Sequence, residues 1–232
     1  MKIGVFIVVY NEENILPHAL EHYFKFCDDV YILNNHSTDN SINIANSFGC
    51  KNIDWGKDEI DEHSYLEIKN NCYKPFRHLY DYIIVCDCDE FLYHDNIKDY
   101  IEQTKFDIYK SNGFEMIYDN FDYKNNKTTN VCFGSRSNSF DKCLLFKSNI
   151  DIQYDVGCHT IRNHFTSSQL QLRHMKYLNI DFVKTRYAEL SKRNSESNIR
   201  NGWAFHYSWE MSKIEQYYES LKNNLEVLEW KM

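Results

Sequence analysis

Tyr82–Glu90 reads YIIVCDCDE: five apolar side chains give way at once to two aspartates two residues apart and a glutamate. A short apolar run that ends so abruptly predicts a strand buried on both faces, as in the middle of a parallel sheet. The same pattern recurs upstream. Ile3–Tyr10 (IGVFIVVY) is a nearly unbroken β-branched and aromatic run ending in Asn11-Glu12-Glu13, and Val30–Leu33 ends in Asn34-Asn35-His36. Asn14–Phe26 lies between them, with Ile15, Leu16, Ala19, Leu20, Tyr23 and Phe24 at helical spacing. Ser37-Thr38-Asp39 offers N-cap chemistry for a second helix closed by Gly49. A weak strand at Asn52–Trp55 and a long helix over Glu62–Leu79 complete the alternation. Strands and helices alternating through short links imply a right-handed, mostly parallel α/β sheet flanked by helices.

The second half changes character. Ile108–Tyr118 and Cys143–Phe146 read as strands around a polar loop, Asp122–Asn130, and Leu170–Arg173 as another short strand. Helices are expected at Ile180–Arg193 and Met211–Trp230. The expected organisation is one domain over residues 1–178 and a helical C-terminal extension, 179–232, packed on it.

Composition narrows the function. At 43% hydrophobic and 26% charged, 232 residues can bury a core and remain soluble. The formal charge of −8 argues against a nucleic-acid partner, whose binding surface would be basic. Residues 1–100 hold 8 basic and 18 acidic side chains, so the acid is concentrated in the first half. Eight scattered cysteines without a CxxC pair read as reduced thiols rather than a disulfide framework. No leader pattern and no apolar run of transmembrane length is evident, so a cytoplasmic protein is expected.

In an open parallel sheet, ligands bind outside the carboxyl ends of the strands. The polar clusters after the three strongest strands fall at just those places. Carboxylates at i and i+2, Asp87 and Asp89, project to one side and suit Mg²⁺ or Mn²⁺, particularly with phosphate oxygens completing the shell. A solvated acidic turn is the plain alternative.

The residues also resemble a family. Ile3–Gly49, with VVYNEEN and the STDNS turn, is similar to the opening of family 2-type glycosyltransferases of the GT-A fold. Asp87-Cys88-Asp89-Glu90-Phe91-Leu92 resembles their DxD metal motif, in the DxDEFL form of a subgroup. Weaker likeness continues through Lys142–Phe146, Gly157-Cys158-His159 and His174…Phe182…Lys184.

The resemblance implies a GT-A (Rossmann-like) hexosyltransferase, inverting as family 2 members generally are. It would use a nucleotide-sugar donor, UDP being the commonest, with Mn²⁺ or Mg²⁺ and a glycan, lipid-linked or protein acceptor. Asp89 would coordinate the metal directly, and Asp87 the metal, the ribose or a metal-bound water. His174 or His159 would add a late metal ligand. Tyr10, Asn11 and Glu12 would face the base and ribose. Asn34 and Asn35 stand where the family usually has an aspartate that contacts the base, a departure that leaves the nucleotide open. Lys69, Lys184 and Arg186 are candidates to neutralise the diphosphate, whereas Lys192 and Arg193 read as a solvated face. The family's acidic base motif has no clear counterpart, leaving Glu115, Asp119 and Asp155 as base candidates. Trp203, Phe205, Tyr207 and Trp209 could stack on a sugar or form an apolar plug. Two rivals remain: an inactive sugar-binding or assembly module, and a sugar-phosphate nucleotidyltransferase. The second would need a Gly-rich loop, yet Gly4 is the only glycine before Gly49.

Overall fold

The computed structural model describes residues 1–231. Its elements, in chain order, are β1 (Ile3–Val9), α1 (Leu16–Tyr23), β2 (Asp29–Asn34), α2 (Ser41–Ser47), β3 (Lys51–Asp54), α3 (Glu62–Asn71), β4 (Tyr82–Asp87), β5 (Glu90–Tyr93) and α4 (Ile97–Thr104). There follow β6 (Ile108–Ile117), β7 (Phe133–Arg136), β8 (Leu145–Lys147), β9 (Thr166–Tyr177), α5 (Ile180–Ser191), α6 (Glu196–Asn201), α7 (Met211–Leu221) and β10 (Leu225–Val227).

This is an α/β fold with a central sheet flanked by helices, in the order β10-β7-β6-β8-β4-β1-β2-β3. Strands β3, β2, β1 and β4 run parallel. Beyond β4 the pairing turns antiparallel through β8, β6, β7 and β10, while β9 lies parallel to β6 and antiparallel to β5. All seven residues of β1 are buried, because alternate side chains feed two cores. Ile3, Val5, Ile7 and Val9 pack with Leu16, Ala19, Leu20 and Tyr23 of α1. Phe6 and Val8 join Tyr31, Tyr73, Ile83 and Val85 on the other face.

Several elements depart from expectation for local reasons. The helix expected over Glu62–Leu79 ends at Asn71, before Pro75, which disfavours helical geometry at the residue preceding it. Asp61 caps its start, accepting a hydrogen bond from the Ser64 N–H at 2.9 Å. The final helix stops at Leu221, and Asn223-Asn224 leads instead into β10 on the edge of β7. The strand expected at Leu170–Arg173 is the centre of a 12-residue strand, held on both sides by β5 and β6. Its polar start, Thr166–Gln169, carries no alternation, so only pairing reveals it. All eight cysteines are unpaired. Among the described residues, no helix is long and apolar enough to cross a membrane.

Candidate active site

The carboxyl ends of β1 and β4, the turn joining β4 to β5, and the inner faces of β6 and β9 border one cleft of about 660 Å³. Lys69 reaches it from α3, Arg186 and Arg193 come from α5 and its C-terminal end, and Trp203–Tyr207 and Trp209 wall its far side.

At its centre is a three-residue chain. His174 Nε2 lies 3.1 Å from Asp89 Oδ2, and its Nδ1 lies 2.6 Å from Glu115 Oε2. Register places the imidazole: His174 pairs with Glu90 of β5 on one side and Glu115 of β6 on the other. The Met175 N–H donates to the Asp89 carbonyl at 2.7 Å, fixing the turn. Phe140 stacks on the imidazole with centroids 4.0 Å apart. Gly113 permits that approach, since a Cβ there would lie 2.4 Å from the Phe140 backbone. Burial acts to lower the His174 pKa, but the Glu115 and Asp89 carboxylates overcome it and raise it to about 10. Partial burial of Asp89, whose side chain is 30% exposed, acts to raise its pKa, yet His174, Lys176 and Lys142 hold its carboxyl well below the usual range.

Among the described residues, no three His, Cys, Asp or Glu side chains form a closed metal cage. Asp89 and His174 nevertheless present an oxygen and a nitrogen at 3.1 Å, the spacing of adjacent ligands around a cation with bonds of about 2.1 Å. A carboxylate behind the second imidazole nitrogen is the usual support for a ligating histidine. The donor set therefore fits an open Mn²⁺ or Mg²⁺ site, with its other positions left to water and phosphate oxygens.

Asp87 is engaged differently. Its Oδ1 pairs with Lys69 Nζ at 2.7 Å, and Lys69 is only 4% exposed. The ion pair and the cost of burying an unpaired ammonium hold the two together. A second buried pair, Lys142 Nζ to Glu90 Oε1 at 2.6 Å, lies alongside. Glu90 Oε2 accepts the Asp87 N–H at 2.9 Å, which ties the pairs into one network.

Of the residues singled out in the sequence, Tyr10, Glu12, Lys69, Asp87, Asp89, Glu115, His159, His174 and Arg186 line the cleft. His159 sits at the edge of Phe140, with Nδ1 2.6 Å from the Ser139 carbonyl. Arg186 donates to the Tyr10 carbonyl and to Glu12 Oε1, and burial raises the Glu12 pKa to about 7 despite this partner.

Six candidates do not line the cleft. The Asn11 amide ties the first-strand loop to Thr38 N–H and to Glu189. Asn34 donates to Asp54, and Asn35 donates to the Trp55 and Lys57 carbonyls while accepting from Arg193. Lys184 faces outward and pairs with Glu215. Asp119 accepts from Tyr218 at 2.6 Å and pairs with Lys222, while Asp155 is bound by Arg162 and Thr160. Each of these six is taken up by protein partners.

Other cleft residues escaped the sequence reading. Arg193, expected on a solvated face, is only 10% exposed and lies 3.2 Å from the Tyr10 ring centroid. Phe140 gave no signal and Lys142 only the weak likeness at Lys142–Phe146, since their neighbours are supplied by strands far away in sequence. Lys176 stands two residues beyond His174, and that spacing would have singled it out had the strand been carried past Arg173.

No family model matches the chain, and no curated protein matches it. Among solved structures, glucosyl-3-phosphoglycerate synthase from Mycobacterium tuberculosis, in complex with Mn²⁺, UDP and glucosyl-3-phosphoglycerate, is similar at 16% identity. The match covers 49% of this chain and 44% of that one, with a TM-score of 0.33. A structure described only as a mycobacterial protein matches at 14% identity over 49% of this chain and 41% of the other, with a TM-score of 0.35. The chain thus spans less than half the length of these neighbours. The functional reading rests on the geometry of the cleft, not on these likenesses.

Proposed function

We propose that the protein is a metal-dependent glycosyltransferase that moves a hexose from a nucleotide-diphosphate donor, UDP foremost, to a hydroxyl acceptor, with inversion. The observation that carries this reading is the chain Asp89–His174–Glu115 at the carboxyl edge of the sheet. Bound Mn²⁺ or Mg²⁺ supplies a Lewis acid that offsets negative charge on the diphosphate as it leaves.

The chain's own residues do the rest. A carboxylate only accepts, so Glu115 keeps a proton on Nδ1, and Nε2, on giving up its own proton, would be the nitrogen that holds the metal beside Asp89. Lys69 and Lys142 hold Asp87 and Glu90 in place beneath the site. Arg186 clamps the first-strand loop to α5, fixing Tyr10 and Glu12 where the nucleoside would lie. In this reading residues 1–178 form the donor-binding domain, and residues 179–232 wall its acceptor end. Trp203, Phe205, Tyr207 and Trp209 supply flat apolar surface there for a glycan, lipid-linked or protein acceptor. The Trp209 Nε1–H is buried without a hydrogen-bond partner among the described residues.

Thermal melting with UDP or GDP, with and without Mn²⁺, tests the reading. At a nucleotide concentration one hundredfold above Kd, stabilisation of about 2.7 kcal/mol, or roughly 5–10 °C, is expected only with metal. Asp89→Ala should abolish it. No nucleotide effect with either Mn²⁺ or Mg²⁺ would overturn the proposal. Slow hydrolysis of a panel of nucleotide sugars then identifies the base and the sugar.

A further inference from the structure

The cleft is lined by five lysine and arginine side chains: Lys69, Lys142, Lys176, Arg186 and Arg193. Four of them are already neutralised. Lys69 pairs with Asp87 at 2.7 Å, Lys142 with Glu90 at 2.6 Å, Arg186 with Glu12 at 2.9 Å and Arg193 with Asp58 at 3.0 Å. Lys176 differs. Among the described residues it has no carboxylate within the 4.0 Å of an ion pair; its ammonium instead sits 4.7 Å from the Tyr187 ring centroid and 5.4 Å from that of Tyr207.

The backbone accounts for this placement. Glu115 pairs with His174, but Ile117 pairs with Tyr177, so β9 carries one extra residue across from Met116. Such a bulge bends the strand and re-aims side chains, and bulges concentrate beside active sites. This one falls within the run His174–Tyr177, all four residues of which line the cleft. Lys176 lies two residues beyond His174 on the same strand, and both residues line the cleft.

A half-buried cation held over two aromatic rings is short of a hydrogen-bonding anion. We propose that Lys176 binds the diphosphate of the nucleotide donor, its ammonium donating to a phosphate oxygen beside the Asp89–His174 pair. The inference rests on the nucleotide-sugar reading of the cleft and adds a residue to it. With Tyr187 and Tyr207 about it rather than a carboxylate, the ammonium has no anionic acceptor among the described residues, and phosphate oxygens are natural ones. Cation–π contact with the two tyrosines holds the ammonium at the cleft wall. Of the three lysine and arginine residues expected at the diphosphate, Lys69 and Arg186 are consumed by carboxylates and Lys184 lies outside the cleft, so Lys176 takes that role.

Calorimetric titration of the full chain with UDP and with GDP, in Mn²⁺, tests this, using wild type, Lys176→Met and Lys176→Arg. Mn²⁺ titration without nucleotide and thermal melting of each variant accompany it. Lys176→Met is expected to weaken the better nucleotide at least tenfold, with Lys176→Arg recovering most of the loss. Mn²⁺ affinity without nucleotide should stay within threefold or tighten, since a repelling charge has gone. Nucleotide affinity of Lys176→Met within twofold of wild type would overturn the inference while leaving the glycosyltransferase reading intact. Parallel loss of Mn²⁺ affinity in both variants would also overturn it, marking Lys176 as a support of the metal site. A wild type that binds neither nucleotide would remove both proposals together.

Discussion

Glu115 Oε2 stands 2.6 Å from His174 Nδ1, and both side chains are almost fully buried, at 2% and 6% exposure. The sequence offered Glu115 as a catalytic base; its position makes it the group that holds the His174 imidazole, which the proposed function assigns to the metal. Glu115→Ala should lower Mn²⁺ affinity about 10–100-fold, the usual effect of losing such a support. Glu115→Gln, which can still accept from Nδ1 but lacks the charge, should fall between. Mn²⁺ binding followed by electron paramagnetic resonance reads this directly. Unchanged affinity in Glu115→Ala would remove Glu115 from the metal site.

Asp119 is bound by Tyr218 and Lys222, and Asp155 by Arg162 and Thr160. Asp119→Asn and Asp155→Asn should leave metal-dependent nucleotide binding and donor hydrolysis within about twofold of wild type, because surface pairs of this kind contribute ~0–1 kcal/mol. Loss of hydrolysis with retained nucleotide binding in either variant would restore that residue as the base.

Arg173, 1% exposed, holds the C-terminal segment to the core. Its guanidinium lies between the rings of Tyr93 and Trp230, at 3.9 and 4.2 Å from their centroids. It donates to the Leu228 and Glu229 carbonyls and to Gln171, and burial lowers its pKa to about 10. Arg173→Met leaves the Leu228 and Glu229 carbonyls without this donor and should cost about 2–4 kcal/mol in urea unfolding. Arg173→Lys should recover little, because an ammonium cannot reproduce the planar fork. Protease cleavage beyond Leu221 should accelerate in both.

His22 is buried on α1, with Nε2–H donating to the Leu92 carbonyl at 2.9 Å, and burial pushes its pKa down to about 4. The unfolded chain takes up a proton near pH 6.5, while the folded chain does so only near pH 4. Stability is therefore lost as pH falls through that window, by up to ~1.4 kcal/mol per pH unit from this group. Glu12, raised to about 7 by burial, acts in the opposite sense, so the difference between variants is the readout. His22→Gln keeps a donor but cannot take up a proton. Its stability relative to wild type should improve steadily from pH 6.5 to 4.5 in urea titrations. A constant difference would exclude His22 as an acid-sensitive group.

The parallel half of the sheet was legible because burial on both faces needs only composition. Ile3–Tyr10 and Tyr82–Cys86 are apolar throughout, and β1 and β4 lie there. The antiparallel half was harder to read. Thr166–Gln169 becomes strand through its neighbours, and Leu225–Val227 becomes strand because β7 offers an edge.

The site divides the same way. Asp87 and Asp89 were visible because two carboxylates follow a buried strand in a single stretch of chain. Their separate fates, one paired to Lys69 and the other to His174, depend on side chains that arrive from α3 and β9. The sequence by itself determined the alternation of buried strands and helices and the acidic ends of those strands, since both follow from local pattern. Tertiary structure alone decided which charges remain without a partner. Ion pairing falls off within a few ångströms, and those separations are set by register between strands far apart in the chain.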